Sequence, residues 1–365
     1  MYLPAFPNIA ASLSVPLPSV EASLASYFAG LSLGQLFYGP LADKYGRKIP
    51  LLFGLMIYTF ASIACGLATS MEAIIMLRFL QALGACSGMV IPRAIVRDRF
   101  GHQETARIFS LLMLIMGVAP ILAPLAGGYF TTHLGWRSIF WFLAAFSGLC
   151  MAAVATLLPE TYKGNPEYKI KSSFSTFGSI LRDKEFLRYT LAGSIAQAGM
   201  FAYITGSPFV FIEFFGISPE NFGWVFGANA MGIIAMSQVN ARLLQTLSYE
   251  KVLNGALWVL AIAGVLLILS GLSGAGFWAV LIPLFLYMAT LGTTFPNAMA
   301  GALAKQGRNA GSASAMMGTI QMLAASFASF MISHLHAVSA ATMTSIVGIC
   351  GLMSLGIFIA LRRKA

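Results

Sequence analysis

The chain has 365 residues, of which 58% are hydrophobic and only 9% charged. A soluble domain carries roughly 25% charged residues, so most of this surface must meet lipid or other apolar helices, and an ordinary soluble domain is excluded. The net charge of +10 sits at alternate ends of apolar stretches, a pattern that marks one membrane face and argues against a nucleic-acid partner.

The first segment, Met1–Ala11, is apolar and carries Pro4 and Pro7; Pro16 and Pro18 then break the chain. At 1.5 Å per residue so short a stretch cannot cross about 30 Å of hydrocarbon. It lacks the positive start and small-residue cleavage site of a signal peptide. The expectation is a partial first helix, with Met1 an internal methionine. Apolar spans follow at about 20–41, 49–69, 72–93, 105–130 and 137–158. After a charged segment they resume at about 188–211, 222–244, 252–272, 277–303, 310–333 and 339–361.

Helices of this length satisfy their own backbone hydrogen bonds in lipid, and the alternating ten-residue segments of a β-barrel are absent from the sequence. Lys and Arg cluster at 44–48, 93–107, 163–188, 242–251, 305–308 and 362–364, leaving only Arg78 and Arg137 elsewhere. The fold class expected is an all-α membrane protein of about 11 complete transmembrane helices plus a partial first one. The charge-dense stretch from Pro159 divides it into residues 1–158, a cytoplasmic connector 159–187, and residues 188–365. Cys65, Cys86, Cys150 and Cys350 all lie in apolar spans, with no C-x-x-C pair, so neither a metal nor a disulfide framework is indicated.

Three motifs carry chemistry. Between the second and third spans runs Gly39-Pro40-Leu41-Ala42-Asp43-Lys44-Tyr45-Gly46-Arg47-Lys48, read as a charged, glycine-punctuated turn in which Gly39 and Gly46 permit close backbone approach. Asp43 can accept from amides at a helix N-terminus near Asn309–Ser312, and Arg47 can pair with Asp98. Arg78 lies within an apolar stretch, where a central arginine costs roughly 2.5–3.5 kcal/mol. Gln81 shares its face at i+3, and Arg78 is placed to hold a cavity carboxylate unless it snorkels outward. Gly117, Pro120, Pro124, Gly127 and Gly128 suit a bend or close seal in the fifth helix. Tyr2, Gln197, Tyr203 and Asn229 are polar or aromatic residues within spans and candidate substrate contacts, each also readable as a packing residue.

The spelling G-x-L-A-D-x-x-G-R-K resembles the signature loop of the major facilitator superfamily, whose fold is two six-helix bundles. Arg78-x-x-Gln81-x-x-Gly84 is similar to its helix 4 motif, with Ala82 in place of a glycine, and the helix 5 residues match its antiporter motif in part. Within the superfamily, Met1-Tyr2-Leu3-Pro4-Ala5-Phe6-Pro7, Pro208–Glu213 and Pro219–Gly223 resemble the Bcr/CflA drug-resistance exporters.

The resemblance implies a multi-pass transporter of the bacterial cytoplasmic membrane. It would export drug-like molecules in exchange for protons, without a cofactor, as a monomer touching membrane lipid. Asp43, Arg47, Lys48 and Asp98 with Gly39 and Gly46 would form its gating loop, and Arg78 and Gln81 its proton-coupling pair. The family's helix 1 aspartate would sit just before Met1. An uptake symporter on the same fold and an inactive fragment stay open as alternatives. No P-loop occurs. Gly30-Leu31-Ser32-Leu33-Gly34 matches G-x-S-x-G, but without the strand-turn-helix setting a nucleophile needs, so an enzyme is not expected.

Overall fold

The computed structural model describes residues 1–99, 122–165, 176–306, 310–335 and 339–362. A 3-10 turn, Leu3–Ala5, leads into α1 (Phe6–Leu13), which ends where Ser14 takes the left-handed conformation. Pro16 is extended and Pro18 sits in the first turn of α2 (Leu17–Tyr45), where its missing N–H costs nothing. The helices α3 (Lys48–Leu67), α4 (Met71–Arg99), α5 (described over 122–134) and α6 (Arg137–Leu157) complete the first half.

Asp183 caps α7 (Lys184–Ser207), accepting from the amides of Glu185 and Phe186, so this helix begins before the expected 188. It continues as a π-helical stretch, Pro208–Phe214. Ser218 caps α8 (Pro219–Leu243) and left-handed Gly274 ends α9 (Tyr249–Ser273). Next come α10 (Phe277–Leu303), α11 (Ala310–His334) and α12 (Ala341–Ala360).

Among the described residues nine helices are long and apolar enough to cross a membrane; the 20 residues of α3 rise about 30 Å. The long α2 has a charge-free run from 22 to 42 but is less apolar than these spans, because Ser23, Ser26, Ser32 and Gln35 interrupt it. Outward faces carry Phe60, Leu149, Trp258 and Phe327. Trp278, Trp224 and Tyr129, all exposed, lie at the end of the bundle opposite the Lys and Arg clusters, the position of an interfacial aromatic belt.

In the first bundle α4 packs against α2 and α3, and α3 against α6; in the second, α7 and α10 pack among α8, α9, α11 and α12. The halves meet chiefly where α2 lies along α11. There Ser32 donates to the Thr319 carbonyl at 3.0 Å, Ser326 to the Ala25 carbonyl at 2.8 Å, and Gln35 Nε2 to the Gly318 carbonyl at 3.4 Å. Ser32 is thus a seam residue in mid-helix. Its flanking glycines are packing positions: a Cβ on Gly30 would stand 2.5 Å from the Phe79 carbonyl oxygen, and one on Gly34 2.6 Å from Cys86 Sγ. The four cysteines are free thiols.

Candidate functional site

At the inner end of the first bundle, α2 runs on to Tyr45, so Gly39, Asp43 and Lys44 are helical and the expected turn shrinks to Gly46. The reason is local: only Gly46, at φ +87°, leaves the right-handed region. A Cβ there would stand 2.7 Å from the Tyr162 carbonyl oxygen, whereas one on Gly39 meets nothing within 4 Å among the described residues. Close approach therefore belongs to Gly46 alone.

Arg47 is buried and holds the network together. Its Nη1 donates to Asp43 Oδ1 and its Nε to Asp98 Oδ2, both at 2.7 Å, and its guanidinium lies 4.7 Å over the Tyr162 ring. Burial opposes its charge, but the bonds to Asp98 and Asp43 outweigh it and raise its pKa. Asp43 also accepts the Asn165 amide at its backbone carbonyl. Of the partner region expected for Asp43, Asn309–Ser312, Asn309 lies outside the described residues, and the bonds Asp43 accepts among the described ones come from Arg47 and Asn165 instead. Lys48 Nζ donates to the Ala155 carbonyl at 2.8 Å, tying α3 to α6.

Glu160, which the sequence reading passed over as one charge among many in the connector, is the keystone on the other side. Its Oε1 accepts from the amides of Arg47, Thr161 and Tyr162 at 2.9, 3.0 and 3.2 Å, and its Oε2 from that of Lys48 at 3.0 Å. Two of these are unpaired donors at the start of α3, where a carboxylate is favoured by the helix dipole. Partial burial pushes the carboxyl pKa up, and the four amides outweigh it, leaving it below the usual carboxylate range.

Arg78 is 5% exposed, so it does not snorkel outward. Its guanidinium carbon lies 4.0 Å from the Tyr27 ring centre and 4.7 Å from that of Tyr2. Nη1 donates to Gln81 Oε1, and Gln81 passes the chain on by donating to Ser62 Oγ at 2.6 Å. Tyr2 in turn shares a 2.8 Å hydrogen bond with Ser23. The expected carboxylate is not the partner: among the described residues Arg78 forms no ion pair, and its Nε is buried without an acceptor.

Near the opposite, outer end, a Cβ on Gly128 would stand 2.8 Å from the Pro219 carbonyl oxygen of α8, and Gly223 faces Leu125 of α5. Gly127 faces the backbone of Met1, and Pro124 lies on the same described stretch of α5. The first bundle's fifth helix thus meets the second bundle's α8 through glycines, as close backbone contact requires. Gly117 and Pro120 lie outside the described residues.

Of the substrate candidates, Tyr2 belongs to the Arg78 cage. Asn229 and Tyr203 are bonded to each other at 3.1 Å and both buried; Tyr203 also stacks on Phe226 at 5.4 Å. Gln197 Oε1 and Asn229 Oδ1 are buried acceptors without donors among the described residues. Sequence reasoning also missed Arg188, which sits at the inner end of α7. It donates Nη1 to Glu250 at 3.2 Å and Nε to the Phe358 carbonyl at 3.0 Å. Glu21, 2% exposed in α2, was missed as well, although a lone acid inside an apolar span is itself a signal.

Comparison with known proteins fits this architecture. Residues 1–329 match the family model of the Major Facilitator Superfamily. The chain is 36% identical over 334 residues to the uncharacterized MFS-type transporter YdgK of Bacillus subtilis, covering 90% of this chain and 83% of that one. It is 30% identical over 356 residues to the bicyclomycin resistance protein homolog of Haemophilus influenzae, covering 97% and 89%. The E. coli xylose transporter XylE, in a partially occluded inward open conformation, superposes with a TM-score of 0.71 at 14% identity, over 94% of this chain and 87% of that one; at that identity the likeness is one of fold. Family, helices and charge placement agree that the chain belongs to the major facilitator superfamily, as a multi-pass transporter of the bacterial cytoplasmic membrane.

Proposed function

We propose that this transporter exports small drug-like or amphipathic molecules in exchange for protons, by alternating access between its two bundles. The observation that carries the reading is Arg78: a guanidinium buried between two tyrosine rings, with a hydrogen-bonded tether and no carboxylate on it among the described residues. A group so costly to bury in a membrane is kept for use, and its orphan N–H is available to an acceptor on substrate or protein. Its aromatic walls suit the apolar, sparsely polar lining of a small-molecule site. The glycine contacts between α5 and α8 and the donor-rich α2–α11 seam supply surfaces on which two bundles can rock around a central site. The similarity to a protein named for bicyclomycin resistance adds support for export.

Energetically the exchange is sufficient. One proton charge moving inward yields about 2.3 kcal/mol per 100 mV, which at roughly 1.4 kcal/mol per factor of ten sustains a gradient of about fifty-fold for a neutral substrate. The test is tolerance to bicyclomycin- or chloramphenicol-like compounds in cells expressing the protein. Tolerance that disappears with an uncoupler supports proton exchange; tolerance that survives the uncoupler, or no tolerance at all, overturns the reading.

A further inference from the structure

The inner end of the second bundle carries a basic cavity that transport does not account for. It is a hollow of about 230 Å³ where α7, α9 and the end of α12 converge, and Arg188, Lys251 and Arg362 line it together with one acid, Glu250. Arg188 is tied down: it pairs with Glu250 at 3.2 Å, donates to the Phe358 carbonyl at 3.0 Å and lies 3.9 Å over the Phe358 ring. Lys251 and Arg362 enter no ion pair among the described residues, so these two leave the cavity with a positive excess. Its walls are mixed, for Phe358 and exposed Ile359 stand beside the cations.

Lys251 also borders a second hollow, of about 270 Å³, on the other flank of α9. This one is a groove between α8 and α9 with α10 as its floor. Lys251, Gly255 and Val259 stand one turn apart along one wall, with Leu243 and Leu247 nearby; Leu243, Leu247 and Val259 are exposed. On the floor, the hydroxyls of Thr290 and Thr293 are already donated to the carbonyls of Leu286 and Met236. Away from Lys251 the groove therefore presents hydrocarbon surface. From Lys251 to Val259 it climbs about 12 Å from the basic inner face into the membrane.

We propose that the two hollows form one site for an inner-leaflet phospholipid with a net negative headgroup. Its phosphate lies in the basic cavity against Lys251 and Arg362, and one acyl chain runs along the groove. Charge complementarity selects the class: a basic residue beside an anionic lipid surface strengthens the attraction about fivefold, and two such residues here are free of counter-charges. A zwitterionic headgroup brings an ammonium as well, which finds the cavity's carboxylate already held by Arg188. A soluble phosphate fits the cavity but gains nothing from the groove. The bound lipid bridges the inner ends of α7, α9 and α12, and its site stands whether or not the protein exchanges protons.

The experiment titrates the full-length chain, purified in detergent, with phosphatidylglycerol or phosphatidylcholine and reads bound lipid by native mass spectrometry. Phosphatidylglycerol should be held about tenfold more tightly than phosphatidylcholine, and an excess of glycerol phosphate should not displace it. Lys251→Gln and Arg362→Gln should each weaken phosphatidylglycerol about fivefold, and together about 25-fold, with phosphatidylcholine unchanged. Gly255→Leu, whose Cβ meets nothing within 4 Å among the described residues, fills the groove with the charges intact and should weaken phosphatidylglycerol as well. All three positions are exposed, and melting curves without lipid check that the variants fold. Equal retention of the two lipids, or a double variant that binds phosphatidylglycerol like wild type, overturns the proposal. Displacement by glycerol phosphate reassigns the cavity to a soluble phosphate and overturns it too, and unchanged binding by Gly255→Leu removes the groove from the site.

Discussion

Arg47 and Asp98 meet at 2.7 Å, joining the short connection between α2 and α3 to the inner end of α4. Because the same guanidinium also holds Asp43 at 2.7 Å, one buried cation fixes the inner ends of three helices. Arg47→Ala leaves two partly exposed carboxylates without a counter-charge. It should destabilise the protein by about 1–3 kcal/mol, the range for losing a charged hydrogen-bond partner. Arg47→Lys should recover only part of this, since a single ammonium cannot reproduce a planar fork. Thermal unfolding in detergent checks both; an Arg47→Ala protein as stable as wild type would remove Arg47 from this role.

The Glu160 carboxyl has its pKa depressed in the folded protein: burial raises it, but four backbone amides outweigh that. A depressed value stabilises the fold above the unfolded carboxylate pKa of about 4.3, and the contribution is lost as pH falls through the folded value. Wild type should therefore be more stable than Glu160→Gln at neutral pH, with the difference vanishing in acid. Melting temperatures of the two proteins across that range decide it. A gap that widens on acidification has the wrong sign.

Arg78 separates function from stability. Replacing a buried charge by a well-packed apolar side chain is often neutral or stabilising, so Arg78→Met should keep or raise the melting temperature while drug export falls by more than tenfold. Arg78→Lys keeps the charge and loses the planar contact between Tyr2 and Tyr27, a contact worth about 0.5–2 kcal/mol, and should export poorly as well. Export assays on purified, reconstituted variants read this directly. A Met variant that transports normally would reduce Arg78 to a packing residue.

Gly84 marks a close approach of the α3 and α4 backbones. A Cβ there would stand 2.5 Å from the Gly54 carbonyl oxygen and 2.6 Å from the Tyr58 nitrogen. Both neighbours are backbone and cannot swing aside. Gly84→Ala should cost about 1–3 kcal/mol through overpacking, whereas Gly88→Ala, which meets nothing within 4 Å among the described residues, should be silent. Denaturation of the two variants side by side is the measurement.

The number and order of helices were legible in the sequence because lipid imposes a length and a composition that few other settings require. Charge placement was legible too, since topology depends on it. The Arg78–Gln81 pairing follows from spacing alone, for residues at i and i+3 must share a face. What surrounds that pair could not be read. Tyr2 and Tyr27 are ordinary aromatics in a chain with many, and only folding brings both rings against one guanidinium. Glu160 shows the same limit: its partners are backbone amides, which every sequence has and none advertises. The turn was drawn too long because charges and glycines at 39–48 read alike as loop residues. The helix in fact runs on through Pro40, which forfeits one backbone bond and bends it, and only Gly46 takes the positive φ that ends it.

The seam between α2 and α11 has a property that specific side-chain pairing would lack. Ser32, Ser326 and Gln35 supply the hydrogens, and the acceptors are peptide oxygens of residues 319, 25 and 318. Such oxygens recur on one face of a helix about every turn, roughly 5.4 Å, whatever side chains stand beside them. A helix that shifts past its neighbour by about one turn can therefore offer the same donors a fresh acceptor. The joint depends on peptide oxygens more than on side-chain identity at 319, while 318 is held to glycine, since a Cβ there would run into Gln35 Oε1.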